Sequence, residues 1–404
     1  MSLSRMAWRN LWRNPRRSIV TVAAMTLALW VMILYSGLVQ GYWRGMERGV
    51  LDMEVGDLQV FAPGYLDSPS LYTNISDPAT VLRRLDQLGY PASPRLLGGG
   101  LAAAGEQSAG VSLRGVDVRR DARVCRISTA VGEGAWLDPR DPKGVVIGRR
   151  LAKALGVRAG QELVVVTQGA DGSLANDLYR IRGVLKTVAD GTDRTAVFMN
   201  EAAFRELLVL PRGTHQIIVR RPEAVPLEVA AARVRSVAGQ LDVRTWQQLL
   251  PTVASMLESS RSVVFVAFAT IYLAVSILVL NAMLMAVFER IRELGVLKAL
   301  GVGPLRVLAL ILLESGIQTG IAVVVALLAS LPGIYYLARF GVDVGKLGGV
   351  SMLGHAMPPI WYGVYTAETL TAPIAMLVAM VLIGVLYPAF KAAWIRPVAA
   401  MRHT

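Results

Sequence analysis

Three histidines, one cysteine and a few glycine-rich stretches are where chemistry could begin in this 404-residue sequence. His215, His355 and His403 lie far apart, and none is paired with an acid at ligand spacing. A zinc site or a Ser/His/Asp arrangement has no support from those spacings. His215 sits in a strand-like run and reads as an ordinary hydrogen-bonded histidine. Cys125 is the sole cysteine, which excludes an internal disulfide and any two-cysteine metal site. It reads as a buried structural thiol, although Arg123 and Arg126 could lower its pKa. A phosphate-binding loop needs G-x-x-x-x-G-K-[ST], so that backbone N–H groups cradle phosphates while Lys and a hydroxyl engage them and Mg²⁺. Gly345-Lys346 is followed by Leu347, which lacks the hydroxyl. Gly98-Gly99-Gly100, set between apolar strand-like residues, predicts a β-bulge or turn. The chain is expected to be no enzyme by itself and to hold no cofactor or metal.

The more informative stretch is Glu289-Arg290-Ile291-Arg292-Glu293-Leu294-Gly295-Val296-Leu297-Lys298-Ala299-Leu300-Gly301. Glu289 with Arg292, and Arg290 with Glu293, form i,i+3 opposite-charge pairs. Ile291, Leu294 and Leu297 recur at the same spacing, which predicts a short amphipathic helix ended by Gly301, Gly303 and Pro304. Physics alone leaves two readings open: a helix resting on lipid, or a docking helix for a partner protein.

Such residues need elements to position them. Hydrophobic residues make up 54% of the chain and charged ones 18%. The excess falls in four uncharged apolar stretches, Ser18–Gln40, Val263–Phe288, Ser315–Ala338 and Thr369–Phe390. Each exceeds the roughly 20 residues that cross a hydrocarbon core. A soluble globule and a disordered chain are both excluded. The expected order is a basic segment 1–17, span 18–40, a large domain 41–261, span 263–288, an amphipathic helix 289–304, span 306–338, a short loop 339–368, span 369–390 and a tail 391–404.

The net charge of +13 could suggest nucleic acid, but its placement argues against that. Segments 1–17, 289–306 and 391–404 hold twelve Lys/Arg and two acids, whereas 41–261 carries 28 basic and 24 acidic residues. The positive-inside rule then puts both termini in the cytoplasm and 41–261 across the membrane. Arg5, Arg9, Arg13, Arg16 and Arg17 would each gain about 1 kcal/mol from anionic headgroups. The first span reads as an uncleaved anchor, being longer than a signal peptide's apolar run.

Segment 41–261 reads as a folded α+β domain, with two lobes in view. Strands are predicted at Leu58–Phe61, Leu96–Ala104, Gly110–Val116, Val145–Ile147, Leu163–Thr167, Tyr179–Thr187, Ala196–Met199 and His215–Arg220. Helices are predicted from Asp77-Pro78 to Leu88, and at Arg149–Leu155, Glu201–Leu208 and Pro226–Ala238. The pattern from Gly41 to Val55 stays amphipathic without a breaker, as does Trp246–Ser262 apart from Pro251. Either the first two spans continue beyond the bilayer as a stalk, or separate interfacial helices follow them.

The run 289–301 resembles the E-R-x-R-E-x-G-x-x-x-A-L-G signature of the FtsX-like permease family, which includes MacB-type exporters and Lol-type lipoprotein-releasing permeases. Leu310-Ile311-Leu312-Leu313-Glu314-Ser315-Gly316 is similar to the family's L-x-x-E-G-like continuation, with Ser315 for the usual Gly. The tail from Tyr387-Pro388-Ala389 through Arg396-Pro397 to Met401-Arg402 resembles its Y-P-A-x-x-A-A-x-x-x-P-x-x-A-L-R ending. Gly148, Leu151, Ala152, Leu155, Gly156, Val157 and Gly160 match a G-x-x-L-A-x-x-L-G-V-x-x-G element of its outer domain.

The resemblance implies an α-helical membrane protein with four transmembrane helices and a large α+β periplasmic domain between spans one and two, in a bacterial inner membrane. It also implies a permease dimer, homologous or identical, working with a separate cytoplasmic ABC ATPase that binds the ATP and Mg. ATPase closure would be felt through a coupling helix carrying Glu289, Arg290, Arg292, Glu293, Leu294, Gly295, Lys298 and Gly301. Glu314, the one charged residue near the start of the third apolar stretch, is either an intramembrane anchor or an interfacial carboxylate. The leading expectation is release of lipoproteins from the inner membrane, with a periplasmic carrier. Efflux of drug, peptide or toxin through a periplasmic adaptor is the alternative, and transmembrane signalling a third.

Overall fold

The computed structural model describes residues 3–13, 15–289, 298, 302–343, 351–352, 355–356 and 360–394. The chain forms two compact units, one of residues 45–256 with 345–358, the other of 1–44, 257–344 and 359–404. The basic N-terminal segment is itself a helix, α1 (Leu3–Arg13), with Ala7 and Leu11 buried. Pro15 then opens α2 (Pro15–Val50), a position where its missing N–H leaves no bond unmade. No break separates Gln40 from Gly41, so the apolar stretch and the amphipathic one share a single helix. A π-turn, Leu51–Val55, and Gly56 at φ +71° end it.

The larger unit is built on a ten-stranded sheet. In chain order come β1 (Leu58–Phe61), α3 (Pro78–Gln87), β2 (Ala92–Ala104), β3 (Gln107–Val116), α4 (Val118–Val124), β4 (Val131–Gly134), β5 (Gly144–Ile147), α5 (Arg149–Leu155), β6 (Glu162–Gln168) and β7 (Leu174–Leu185). They are followed by α6 (Asp190–Thr195), β8 (Ala196–Asn200), α7 (Glu201–Leu207), β9 (Gln216–Val219), α8 (Leu227–Ala238), β10 (Asp242–Thr245) and α9 (Trp246–Leu249). The strand order is β10-β1-β9-β2-β3-β8-β5-β7-β4, and β6 pairs with both β2 and β7. Only β3–β8 and β5–β7 are parallel among these ladders.

β2 joins two lobes. Its first residues pair with β9, beside a core of Leu58, Val60, Leu85, Ile217, Val219 and Val234. Its later residues pair with β6, over a core that includes Leu113, Ile147, Leu151, Ile181 and Phe204. The element starting at Gly148 has a physical basis here. Leu151, Ala152 and Leu155 are the buried face of α5, and Gly156 caps it at φ +68°. A Cβ on Gly148 would collide with the carbonyls of Thr192 and Asp193.

Two expectations need correction. Gly98-Gly99-Gly100 forms neither bulge nor turn, since Gly98↔Leu113, Gly99↔Ser112 and Gly100↔Val111 stay in unbroken register. Two of these glycines permit close packing: a Cβ on Gly100 would lie 2.8 Å from Val166 O, and one on Gly98 3.0 Å from Leu208 Cδ2. β7 also begins at Leu174, well before Tyr179. Its first half pairs with β6 as an exposed ribbon, where Asn176 and Asp177 are poor strand formers and no buried face marks the strand.

In the smaller unit, α10 (Pro251–Glu289) contains the second apolar stretch, and α11 (Pro304–Arg339) and α12 (Ala367–Trp394) contain the third and fourth. Among the described residues three helical stretches are long and apolar enough to cross a membrane: Ser18–Val55, Pro304–Arg339 and Ala367–Trp394. The expected four are therefore seen as three, with α10 outside that set. Met25, Leu29 and Ile33 of α2 pack with Ala322 and Ala326 of α11 and with Leu377, Val381 and Val385 of α12. The stretch expected as a loop between α11 and α12 contains short ladders, β11 (Val342–Asp343) with β14 (Ile360–Trp361), and β12 (Ser351–Met352) with β13 (His355–Ala356).

Candidate functional site

Of the residues expected to couple to a partner, Glu289 is the last residue of α10. Arg290, Arg292, Glu293, Leu294, Gly295 and Gly301 lie outside the described residues, as do His403 and the tail beyond Trp394. Lys298 is half-buried, and its Nζ donates to Ala393 O at 2.7 Å, in the last turn of α12. A cation there meets carbonyls that the helix leaves unpaired. Glu314 is partly exposed on α11, between buried Ile311 and Ser315.

Sequence reasoning missed a second constellation, where α2 runs into the sheet. The π-turn and Gly56 aim Asp52, Glu54 and Asp57 at arginines from four separate segments. Asp52 accepts from Arg220 Nη2 at 2.5 Å and lies 3.8 Å from Arg126 Nε. Asp57, essentially fully buried, accepts from the backbone N–H of Arg221 at 3.0 Å and from its Nε at 2.8 Å. Glu54 pairs with Arg114, lies 3.6 Å from Arg95 Nη1, and accepts from Thr192 Oγ1 at 2.6 Å. Arg95 is itself buried and donates from Nε and Nη2 to Asp121 Oδ1 at 3.1 and 2.9 Å. One legible signal was Arg220-Arg221, two consecutive cations closing a strand. The acids at 52, 54 and 57 fell in a stretch whose amphipathic pattern drew attention to its helix.

Burial and pairing set the protonation of these groups. Burial pulls the Arg95 guanidinium down, but Asp121 and Cys125 together outweigh it and the net direction is up. Burial lowers Arg114 to about 10, so it too stays charged at neutral pH. Cys125 packs nearby, and burial pushes its thiol up to about 12. The cations acting on it are Arg95 and Arg220, not the expected Arg123 and Arg126. His215 Nδ1 accepts from Leu97 N at 3.0 Å and Nε2 faces Leu71 O at 3.1 Å, while burial lowers its pKa; a neutral Nε2–H tautomer satisfies both.

A cleft of about 610 Å³ opens beside this network, lined by Glu54, Arg95 and Arg114 together with Phe61, Tyr65 and Leu71. Among the described residues no group of three or more His, Cys, Asp or Glu could hold a metal ion. The charged groups are matched carboxylate–guanidinium pairs. Such pairs fix geometry, because each partner left alone in the interior is costly. The arrangement is suited to holding a helix end rigidly against a sheet.

Comparison with known proteins agrees with both halves. Residues 18–237 match the MacB-like periplasmic core domain, and residues 265–397 match the FtsX-like permease C-terminal domain. An uncharacterised ABC transporter permease of Methanocaldococcus jannaschii is 25% identical over 67% of this chain, and the matched part spans 65% of that relative's length. The lipoprotein-releasing system transmembrane protein LolC of Neisseria meningitidis serogroup B is 20% identical over 96% of this chain and 94% of its own. Among solved structures, the periplasmic region of MacB from Actinobacillus actinomycetemcomitans is 14% identical, with 51% of this chain and 95% of that one covered at a TM-score of 0.36. The extracellular domain of the transporter YknZ from Gram-positive bacteria is 12% identical, covering 47% and 99% at 0.33. With the core-domain model alone matching more than half of its length, the chain belongs to the MacB/FtsX-like family of ABC transporter permeases.

Proposed function

We propose that this chain is the membrane subunit of a lipoprotein-releasing ABC machine in a bacterial inner membrane. It crosses the bilayer four times, α10 included, pairs with a second permease and works with a separate cytoplasmic ATPase that supplies all ATP hydrolysis. The observation that carries the cargo assignment is the match to LolC along nearly the whole of both chains, spans and outer domain together. In this reading the ATPase docks on 289–301. Lys298, tied to the end of α12, conveys its closure to the helices, and the ion network keeps the end of α2 fixed against the sheet it drives.

The test is co-reconstitution in proteoliposomes with the cognate ATPase and a periplasmic carrier. The chain alone should show no ATP hydrolysis, and the complex should hydrolyse ATP and pass lipoprotein to the carrier. Arg292→Glu combined with Glu293→Arg should leave expression and insertion intact yet weaken ATPase binding. Exposed pairs add only about 0.5 kcal/mol to a helix, whereas interfacial charges set register and partner choice. Gly295→Ala should be tolerated, and Gly295→Trp should block docking. Wild-type behaviour of the swapped pair and of Gly295→Trp would make 289–301 a lipid-resting helix. Export of a drug or peptide through an adaptor, with no lipoprotein released, would replace the cargo assignment.

A further inference from the structure

α1, the first half of α2 and the middle of α11 enclose an apolar groove of about 510 Å³. Trp12, Ile19, Leu27, Trp30, Ile321 and Val325 are among the residues that line it. The polar groups along it are already satisfied within the protein. Ser18 Oγ donates to Leu11 O at 3.0 Å, Thr26 Oγ1 to Ala322 O at 3.5 Å and Trp30 Nε1 to Ala329 O at 3.1 Å. A polar ligand would therefore gain little from these groups, whereas a hydrocarbon would lose nothing. Tight helix packing in membranes favours small residues, and this wall is dominated by large ones. Along α2 the lining runs from Pro15 to Trp30, about 22 Å at the helical rise, against roughly 15 Å for the hydrocarbon of one leaflet.

Arg9 precedes the lining residue Trp12 by three positions on α1, and Arg16 precedes the lining residue Ile19 by three on α2, so each lies about one helical turn from the groove's wall. Residues 1–17 contain five arginines and no acid, and Arg9 and Arg16 are exposed beside Trp12 and Pro15. We propose that the groove is a binding site for one anionic phospholipid, its acyl chain along α2 and α11 and its phosphate at Arg9 and Arg16. The site requires that α2 and α11 cross a bilayer, and is independent of the cargo.

The full chain would be placed in nanodiscs of mixed phosphatidylglycerol and phosphatidylcholine, then stripped stepwise with detergent before native mass spectrometry. A phosphatidylglycerol carrying a diazirine near the end of its acyl chain would map the contact. One phosphatidylglycerol should outlast the rest, with crosslinks on Leu27, Trp30 or Val325. Arg9→Gln with Arg16→Gln should lower its retention over phosphatidylcholine roughly five-fold or more, since each arginine near the headgroups contributes to anionic preference. Ala23→Phe, which fills the groove, should abolish the crosslink while oligomeric size stays unchanged. Equal retention of both lipids by the parent chain, or crosslinks spread evenly over the helices, would overturn the proposal. So would an Ala23→Phe chain that loses its oligomeric partner and keeps the lipid, because the groove would then seat a second copy's helix.

Discussion

At the residue scale, the buried pairs carry consequences that their surface counterparts do not. Arg95 and Asp121 are both almost wholly inaccessible, at 2% side-chain exposure each. Arg95→Met would strand a buried carboxylate, and should destabilise the chain by roughly 3–5 kcal/mol. Arg95→Met with Asp121→Leu should regain most of that loss, as measured by thermal unfolding of the purified protein in detergent; equal destabilisation by both would mean that packing, not charge, holds this position. His215 gives a pH dependence of known sign. Its folded pKa lies below the unfolded value of about 6.5, so the unfolded chain takes up the proton first. Stability from this residue is intact above about pH 6.5 and falls as pH drops toward the folded pKa. His215→Gln should flatten that part of the melting-temperature profile. The sequence marked His215 as structural correctly, because a histidine in a strand with no spaced ligand has few other uses. It could not show Arg95 or Arg114, whose partners lie in other segments and meet them only once β2, β3 and the π-turn are assembled.

Elements were legible wherever one face is buried and punctuation is strong. Asp77-Pro78 opens α3, and its Oδ1 accepts from Thr80 N at 3.2 Å; Gly105 at φ +57° turns the β2–β3 hairpin. α5 was recovered in full from its apolar spacing and its terminal Gly156. What escaped were short pieces without periodicity, among them α4, α6, β4 and β10, the two strands being held by long-range pairing with β7 and β1. β10, for example, exists because Leu58 and Thr245 pair across the domain. The glycine triplet was misread for a related reason, since its function depends on β6 and α7 approaching from distant sequence. It also supplies a controlled experiment. Gly100→Val should cost roughly 1–3 kcal/mol through overpacking against Val166 O. Gly99→Ala meets nothing within 4 Å and should be neutral or stabilising by up to about 1 kcal/mol. Urea titration of the two variants would check the pair, and equal midpoints would remove the close-packing explanation.

On the scale of the whole molecule, the proposed topology makes residues 41–261 an outer domain, across the membrane from both termini, in line with the charge asymmetry. Arg212 is exposed in the outer domain. Cys125 is buried and its thiol titrates near 12, so Arg212→Cys supplies the one maleimide-reactive site without further engineering. Labelling should occur in spheroplasts with the inner membrane intact; a signal seen only after permeabilisation would invert the topology. The two ends of the outer domain meet, with β1 beside β10 and Trp246 N donating to Asp57 O at 3.1 Å. Everything between them is thus a cassette with adjacent ends. Exchanging residues 58–245 for another cassette whose termini are equally close should preserve the spacing of the chain segments on either side, provided that the new cassette again supplies cations to Asp52, Glu54 and Asp57.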